Sequence, residues 1–445
     1  MTKAQNFEAV FTKRQRIAEL ARNNPQLAFT SLNHYVDMEW LRCAFYQTRK
    51  DGVPGVDGQT WQDYEANLEE NLQSLLQRAK SGTYHAPPVR RAYIPKGGSC
   101  KETRPIGIPT LEDKVLQRAV LMVLEAIYEQ DFYDCSYGFR PGRSAHEALD
   151  ALWQQSMNHD MRWILEVDIR KCFDTLGHAQ IREFLQQRVR DGVLLRLIGK
   201  WLHAGVMEEG VVSYPDTGSP QGGVISPLLA NIYLHYVLDE WFHQEVLPRM
   251  QGRAFLIRYA DDLVLAFTDE CDARRVNEVL SKRMAKYGLT LHPDKTRLVP
   301  FGRPDMGRPP RDRRPGTYDF LGFTHYWGLS RKGHWVIKRR TASDRLARAV
   351  ASVTQWCRRN RHLPLAEQYQ TLCQNLRGHF AYYGVTANRL QLEHFRTAAL
   401  RAWYKWLARR KRKPYPTWTW FQRLIVRYPL PSATPIHSVC RVAKA

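Results

Sequence analysis

Two apolar runs, Phe255–Tyr259 (FLIRY) and Leu263–Phe267 (LVLAF), stand three residues apart, separated by Ala260, Asp261 and Asp262. Short runs of this composition with a brief interruption predict two buried strands of a tight hairpin. The interruption carries two carboxylates, which are costly beside a buried strand unless a cation or partner compensates them. A further apolar run, WILEV (163–167), predicts a buried strand ending at Asp168. Successive side chains of a strand point to opposite faces. Only one of the paired aspartates can then face Asp168; the expectation is Asp261, with Asp262 a looser ligand. Hard oxygen donors of this kind suit Mg²⁺, and a pair of such ions can activate an attacking hydroxyl and stabilise a leaving group. An Asp-Asp turn is also ordinary turn chemistry, so the pair alone does not decide between the two.

The rest of the chain reads as α+β. Residues 1–85 are polar and helical, broken by the loop DGVPGVDG (51–58). VRRAYIP (89–95) and RPIGIPT (104–110) read as extended pieces. Thr110, with Asp113 three residues on, predicts a capping box, and the helix it opens has an apolar face of Leu116, Ala119, Val120, Val123, Leu124 and Ile127. Ser144 and Glu147 repeat the pattern. Ser226 and Pro227 suit the N-cap and first position of a helix that buries Leu234, Val237, Leu238 and Trp241. A Pro/Gly/Arg-rich stretch, 302–316, reads as a linker or insertion loop, followed by a hairpin over 317–338. Three amphipathic helices follow, with stripes Leu346/Val350/Val353/Cys357, Leu365/Tyr369/Leu372/Leu376/Phe380 and Leu392/Phe395/Ala399/Trp403/Trp406, which predict a small bundle.

Charge divides the chain sharply. Of the net +22, residues 302–445 hold 29 Lys/Arg against 6 Asp/Glu, whereas residues 1–301 hold 37 against 38. A basic segment of this strength attracts a polyanion. The eight cysteines are scattered and form no CxxC, which argues against a zinc module or disulfide framework. No apolar run reaches the length of a membrane span and the N-terminus lacks a secretory core. The expectation is a cytoplasmic, nucleic-acid-binding protein with no membrane partner.

The order of motifs carries a resemblance. YIPKGGSCKETRPIGIPTLEDKVLQ, SYGFRPGRSAHEAL, EVDIRKCFDTLGH, GSPQGGVISPLLANIYLHYVLDEW, RYADDLVLAF, GLTLHPDKT and DFLGFTHYW together resemble the reverse-transcriptase motifs of group II intron-encoded proteins, over about 90 to 330. The resemblance implies a right-hand polymerase: an N-terminal helical extension of the fingers (1–88), fingers and palm (89–317), a helical thumb or maturase domain X (318–420) and a short tail (421–445). It implies that Asp168, Asp261 and Asp262 hold two Mg²⁺ ions, with Mn²⁺ as the alternative. Lys96 and Arg104 would grip the incoming deoxynucleoside triphosphate, Phe173 would be the gate that refuses a 2′-hydroxyl, and Gln221 would pack on the nucleotide. Gly222 and Gly223 would let backbone approach template and primer, and Phe320–Gly322 would support the primer end. Arg140 and Arg143 would contact template or nucleotide, or else cap their own loop. Lys295 matches a lysine that would protonate pyrophosphate, or is a solvated lysine. The run RRKRK, Arg409, Arg410, Lys411, Arg412 and Lys413, would bind structured intron RNA by phosphate contacts.

The implied activity is DNA synthesis from a DNA primer on an RNA template, with assistance to intron splicing and mobility. After Trp420 only His437 and Cys440 remain as soft metal donors, so the expectation is the short form without an HNH endonuclease. A retron-like, diversity-generating or host-adopted reverse transcriptase, or a maturase without polymerase activity, stands as the alternative.

Overall fold

Helical periodicity and strand alternation resolve into fifteen α-helical and twelve β elements among the described residues. The computed structural model describes 3–95, 103–208, 210–214, 217–218, 222–304, 315–410 and 417–437. Lys96, Gln221, Lys411, Arg412 and Lys413, and most of the 302–316 stretch, lie outside them. The architecture is mixed α+β with several small sheets. The chain divides into two compact units: the larger draws on residues up to Ile94, on Arg104–Ala151 and on Leu165–Leu298, the smaller on Leu152–Ile164 and on the chain from Val299.

In the larger unit the N-terminal helices α1 (Lys3–Asn23), α2 (Met38–Gln47), α3 (Trp61–Ala66) and α4 (Leu68–Ser81) precede the strands β1 (Val89–Pro95) and β2 (Thr103–Ile108). Helix α5 (Leu111–Asp131) is buried on almost every side, which explains why α1 and α2 both pack on it. Trp40, fully enclosed, donates its indole N–H to the Ala119 carbonyl at 2.9 Å. Thr110 caps α5 by accepting from the Asp113 amide. The expected box does not close in the usual way: the Asp113 carboxyl accepts from the Tyr84 hydroxyl instead. After α6 (Ala145–Asn158), which begins just past Ser144, whose hydroxyl accepts from the Glu147 amide, come β3 (Trp163–Arg170), α7 (Cys172–Thr175), α8 (His178–Arg188), α9 (Gly192–Leu202), β4 (Val206–Glu208) and β5 (Val211–Ser213).

Helix α10 runs Ser226–Leu234 and continues into two wider π-helical stretches, His235–Asp239 and Phe242–Val246. Ser226 is the first helical residue, with no side-chain cap at Ile225 before it; Pro227 has moved one position inward from the expected place, still within the first turn where its missing N–H costs nothing. A further sheet follows from β6 (Ala254–Tyr259), β7 (Asp262–Phe267), α11 (Glu270–Lys286), β8 (Thr290–Leu291) and β9 (Arg297–Pro300). Its order is β6-β7-β3-β8, with β9 also paired to β3. A second sheet has the order β2-β1-β4-β5, in which β1 pairs in parallel with β4.

In the smaller unit the sequence predicts one hairpin where the structure has three antiparallel strands, β10 (Tyr318–Phe320), β11 (Phe323–Leu329) and β12 (Trp335–Thr341). The bundle is α12 (Ser343–Arg359), α13 (Leu365–Tyr383), α14 (Arg389–Ala408) and a short α15 (Trp418–Arg427). The three stripes read from the sequence meet in one core, to which Phe421, Leu430 and Ala433 add. Two buried amides tie it: Gln368 accepts from the Trp403 indole at 3.0 Å, and Asn388 bridges the backbone and hydroxyl of Thr341 to the Tyr383 carbonyl. Each satisfies polar groups that burial would otherwise penalise.

Asp113 is a carboxyl at odds with its surroundings. Burial pushes its carboxyl up to about 8; the charge of Asp57 adds to this, while the Trp201 indole and Arg78 oppose it. The folded chain therefore keeps a proton that the unfolded chain loses near the ordinary carboxylate pKa. Stability falls as pH rises across that interval. Replacing Asp113 by Asn removes the effect, so urea titrations from about pH 5 to about pH 8 should show wild type losing unfolding free energy relative to Asp113→Asn.

Candidate active site

The β6–β7 register pairs Tyr259 with Asp262. The connection is thus the two residues Ala260 and Asp261, and Asp262 already belongs to β7. Ala260 takes a left-handed φ of 56°, the backbone sign that a tight hairpin of this kind requires. This turn leaves Asp261 half-buried and Asp262 exposed. Burial pushes the Asp261 carboxyl up; a bond from its own backbone lowers it, the charge of Asp168 raises it again, and Arg104 and Lys295 pull it down. Asp168, Asp261, Arg104 and Lys295 therefore share one electrostatic neighbourhood.

Asp168 lies within β3 rather than at its end, since the strand runs on to Arg170. The pairing of Ile169 with Leu291 sets the loop after β8 beside it, and the Asp168 carbonyl accepts from the His292 amide at 2.8 Å. That loop delivers Lys295, whose ammonium donates to Asp168 Oδ2 at 3.0 Å. Lys295 is thus tied to Asp168, although its side chain stays more than half exposed. Among the described residues no group of three or more His, Cys, Asp and Glu is gathered closely enough to hold an ion by itself. The donors nevertheless fit a hard cation: one carboxylate is enclosed and repelled by a second, and the second already attracts a cation, the Lys295 ammonium. Magnesium in such sites completes its shell with water and substrate phosphates, so a preassembled protein cage is not required.

Phe173 sits on α7, half-buried, and its ring meets that of Phe139 edge-on, centroids 6.5 Å apart at 79°. Phe139 is more than half exposed and has a left-handed φ of 57°, a strained choice for a bulky residue. Gly222, at φ 113°, lies so close to β2 that a Cβ would stand 2.4 Å from the Gly107 carbonyl oxygen. Its lack of a side chain serves the protein's own packing. Just after it, the buried Gln117 accepts from the amides of Val224 and Ile225 at 2.8 and 3.4 Å and pins that segment to α5.

Arg140 differs from the template-contact expectation. It is buried, and its guanidinium bonds Glu129 and the carbonyls of Tyr133 and Ser136 over the Phe132 ring; it holds the loop, the second of the two roles the sequence left open. Arg143 pairs with Asp134 at 2.6 Å and stays partly exposed. In the smaller unit Phe320 is buried, and Leu321 and Gly322, both at positive φ, form the β10–β11 turn. A Cβ on Gly322 would meet the Tyr383 hydroxyl at 2.9 Å. Arg409 lies over Trp406 with Arg358 and Lys405 near the same ring, while Arg410 donates to the His362 and Leu363 carbonyls. Arg410 is therefore partly a structural clasp.

Comparison with known proteins agrees with this geometry. Residues 94–325 match the family model described as reverse transcriptase (RNA-dependent DNA polymerase). The chain belongs to the reverse-transcriptase family. It is similar to the group II intron-encoded protein LtrA of Lactococcus lactis subsp. cremoris, 39% identical over 225 residues, which are 50% of this chain and 37% of that protein. It is also similar to the protein YkfC of Escherichia coli K12, 37% identical over 326 residues, 64% of this chain and 83% of that one. An uncharacterized 91 kDa protein in the cob intron of Schizosaccharomyces pombe is 40% identical over 170 residues, 38% of this chain and 20% of that one. The chain thus carries a reverse-transcriptase domain of group II intron type, while spanning little more than a third of LtrA. No helix among the described residues is long and apolar enough to cross a membrane.

Sequence inspection assigned no role to Gln117, Phe139, Asn231, Asp239 or Arg258, although all but one lie inside the quoted motifs' polar positions. The available signal was polarity in apolar surroundings: an arginine in FLIRY, an aspartate and an asparagine in the helix NIYLHYVLD.

Gly222 offers a direct check on close packing. Gly222→Ala should lower the unfolding free energy by about 1–3 kcal/mol from strain and displacement of β2. Gly142→Ala, at φ 71° with open space around it, should cost only the left-handed penalty of about 1 kcal/mol; equal losses in denaturant titrations would contradict the packing account.

Proposed function

We propose that this protein extends a DNA primer on an RNA template, with Asp168, Asp261 and Asp262 as the ligands of two divalent ions, Mg²⁺ or Mn²⁺. The observation that carries this is the Asp261 carboxyl, enclosed at a two-residue turn and raised further by the charge of Asp168, inside a segment that matches the reverse-transcriptase model. When bound, the ions supply activation of the primer 3′-hydroxyl and charge neutralisation on the phosphates. The fold is a right hand, with β1 and β2 as fingers, the β6-β7-β3-β8 sheet as palm and the α12–α14 bundle as thumb.

Arg104, whose charge already reaches Asp261, binds the triphosphate together with Lys96; a guanidinium offers two parallel donors where an ammonium offers a point charge. Lys295 holds a proton at Nζ beside Asp168 and serves the departing pyrophosphate. Phe173 closes the sugar pocket against a 2′-hydroxyl, braced by Phe139. The basic C-terminal third binds structured RNA; by analogy with LtrA, named as an intron-encoded protein, that RNA is a group II intron, and binding assists its splicing and mobility. Arg143 and Gly222 of the larger unit contact template or primer, and Phe320 and Gly322 of the smaller unit support the primer end.

Two outcomes test this. Asp261→Asn should reduce primer extension on RNA to a few hundredths or less of wild type, on the order of the 2–4 kcal/mol that a lost electrostatic stabiliser costs, while RNA binding by filter retention stays unchanged. Extension persisting near the wild-type rate would remove Asp261 from the metal site. Phe173→Ala should raise ribonucleotide incorporation relative to deoxynucleotide in direct competition; an unchanged ratio returns Phe173 to a packing role.

A further inference from the structure

Behind the Ala260–Asp261 turn lies a charged pair with no access to solvent. Arg258 of β6 and Asp239 are both 0% exposed, and the guanidinium Nε and Nη2 donate to the two Asp239 oxygens, with the shortest contact at 2.5 Å. The remaining donor of the fork, Nη1, reaches Asn231 Oδ1 at 2.9 Å and the carbonyl of Ala260 at 3.2 Å. Asn231, itself buried, turns its other side to the loop before α6: Nδ2 donates to the Gly138 carbonyl at 2.7 Å. The same loop is sewn to β6 by backbone bonds, Arg258 N–H to the Cys135 carbonyl at 2.7 Å and Tyr137 N–H to the Arg258 carbonyl at 2.9 Å. Gly138 rests directly on the turn, since a Cβ there would lie 2.3 Å from the Ala260 nitrogen. The next residue is Phe139, whose ring meets Phe173.

The helix is adapted to this arrangement. In a regular α-helix residues eight apart, such as Asn231 and Asp239, are rotated by about 80° from a common face. The π-helical stretch ending at Asp239 inserts extra chain per turn and swings Asp239 back toward the face of Asn231. Burying an ion pair adds little stability over an apolar pair of the same volume. What an apolar pair lacks is the planar fork that serves Asp239, Asn231 and the Ala260 carbonyl together.

We propose that Arg258 and Asn231, oriented by Asp239, are positioning residues of the polymerase reaction: they fix the backbone of the turn that presents Asp261 and lock it to the loop that braces the sugar gate. Metal geometry and sugar selection are then set by one buried network. The proposal rests on the assignment of Asp261 and Phe173 made above.

The test uses the full chain with a pre-annealed RNA template and DNA primer, and counts active sites by burst titration. Asn231→Ala should lower kcat per active site by about tenfold or more, as a small misplacement of a reacting group does, with KM for the nucleotide little changed. Binding of Mn²⁺ to the enzyme–primer–template complex, followed by electron paramagnetic resonance, should weaken several-fold, and discrimination against ribonucleotides should fall. Arg258→Lys keeps the charge opposite Asp239 but replaces the planar fork by a compact point charge that cannot span Asp239, Asn231 and the Ala260 carbonyl, and should give the same shifts. If Asn231→Ala does not fold, Asn231→Asp replaces it, keeping the acceptor for Arg258 and losing the donor to Gly138. Variants that lower only the unfolding temperature in EDTA, with kcat per site, Mn²⁺ binding and discrimination at wild-type values, would overturn the proposal and leave the network as fold support. A wild-type chain that neither polymerises nor binds Mn²⁺ would instead refute the polymerase assignment itself.

Discussion

The larger unit is organised around a carboxylate held where water cannot fully reach it. Asp261 is enclosed by its turn and repelled by Asp168, so the site is electrostatically unfinished in the protein alone. An ion pair buried as deeply as Arg258–Asp239 is complete and inert; a half-compensated carboxylate pair is not, and it has a standing preference for cations. Lys295 answers that preference with a side chain more than half exposed, and an exposed ion pair of this kind is worth little. Rigid support beneath and replaceable charge above is an arrangement suited to a centre that must exchange ligands at every turnover.

Local chemistry made much of this legible. The hairpin, the capped start of α5 and the three bundle helices each depend on periodicity or caps within a dozen residues, and each appears where the pattern places it. The charge of Asp168 does act on Asp261, but through a turn and not through strand alternation, since β7 begins only at Asp262. The resemblance to group II intron proteins added names for positions, but it could not say which were satisfied internally. Arg140 shows why: its fate depends on Glu129 and on two carbonyls, a pocket that exists only after the loop has folded. Gly222 was expected to approach template and primer, whereas the contact the structure shows is with the carbonyl of Gly107, far away in sequence.

What remained hidden was long-range and polar. The hairpin expected over 317–338 gained a third strand, β10, because Phe320 and Phe323 pair across the two-residue turn Leu321–Gly322, both at positive φ. The widening of α10 into π-helix has no residue signature; it is imposed by Asp239 seeking Arg258 across nineteen positions of chain. Gln117 and Asn388 likewise look like ordinary polar residues until the backbone amides they satisfy are brought to them. Buried amides and ion pairs of this kind read as noise in a hydrophobic pattern, and their meaning lies in partners that periodicity does not supply.

The smaller unit is not a continuous stretch of chain. It draws on Leu152–Ile164 as well as on everything from Val299, and the Trp153 indole donates to the Ile337 carbonyl at 2.8 Å, 184 residues later. On the ribosome these partners emerge at very different times. The segment holding Trp153 must wait while the sheet of β6, β7, β8 and β9 is synthesised. Biogenesis of this chain therefore has an order built into it: the larger unit can close as soon as Leu298 has left the exit tunnel, and the smaller one only after the helices that follow Val299 have emerged. Expression of the basic bundle as a fragment beginning at Val299 would leave a strand without its tryptophan, and a nascent chain stalled midway would expose the same surface to chaperones.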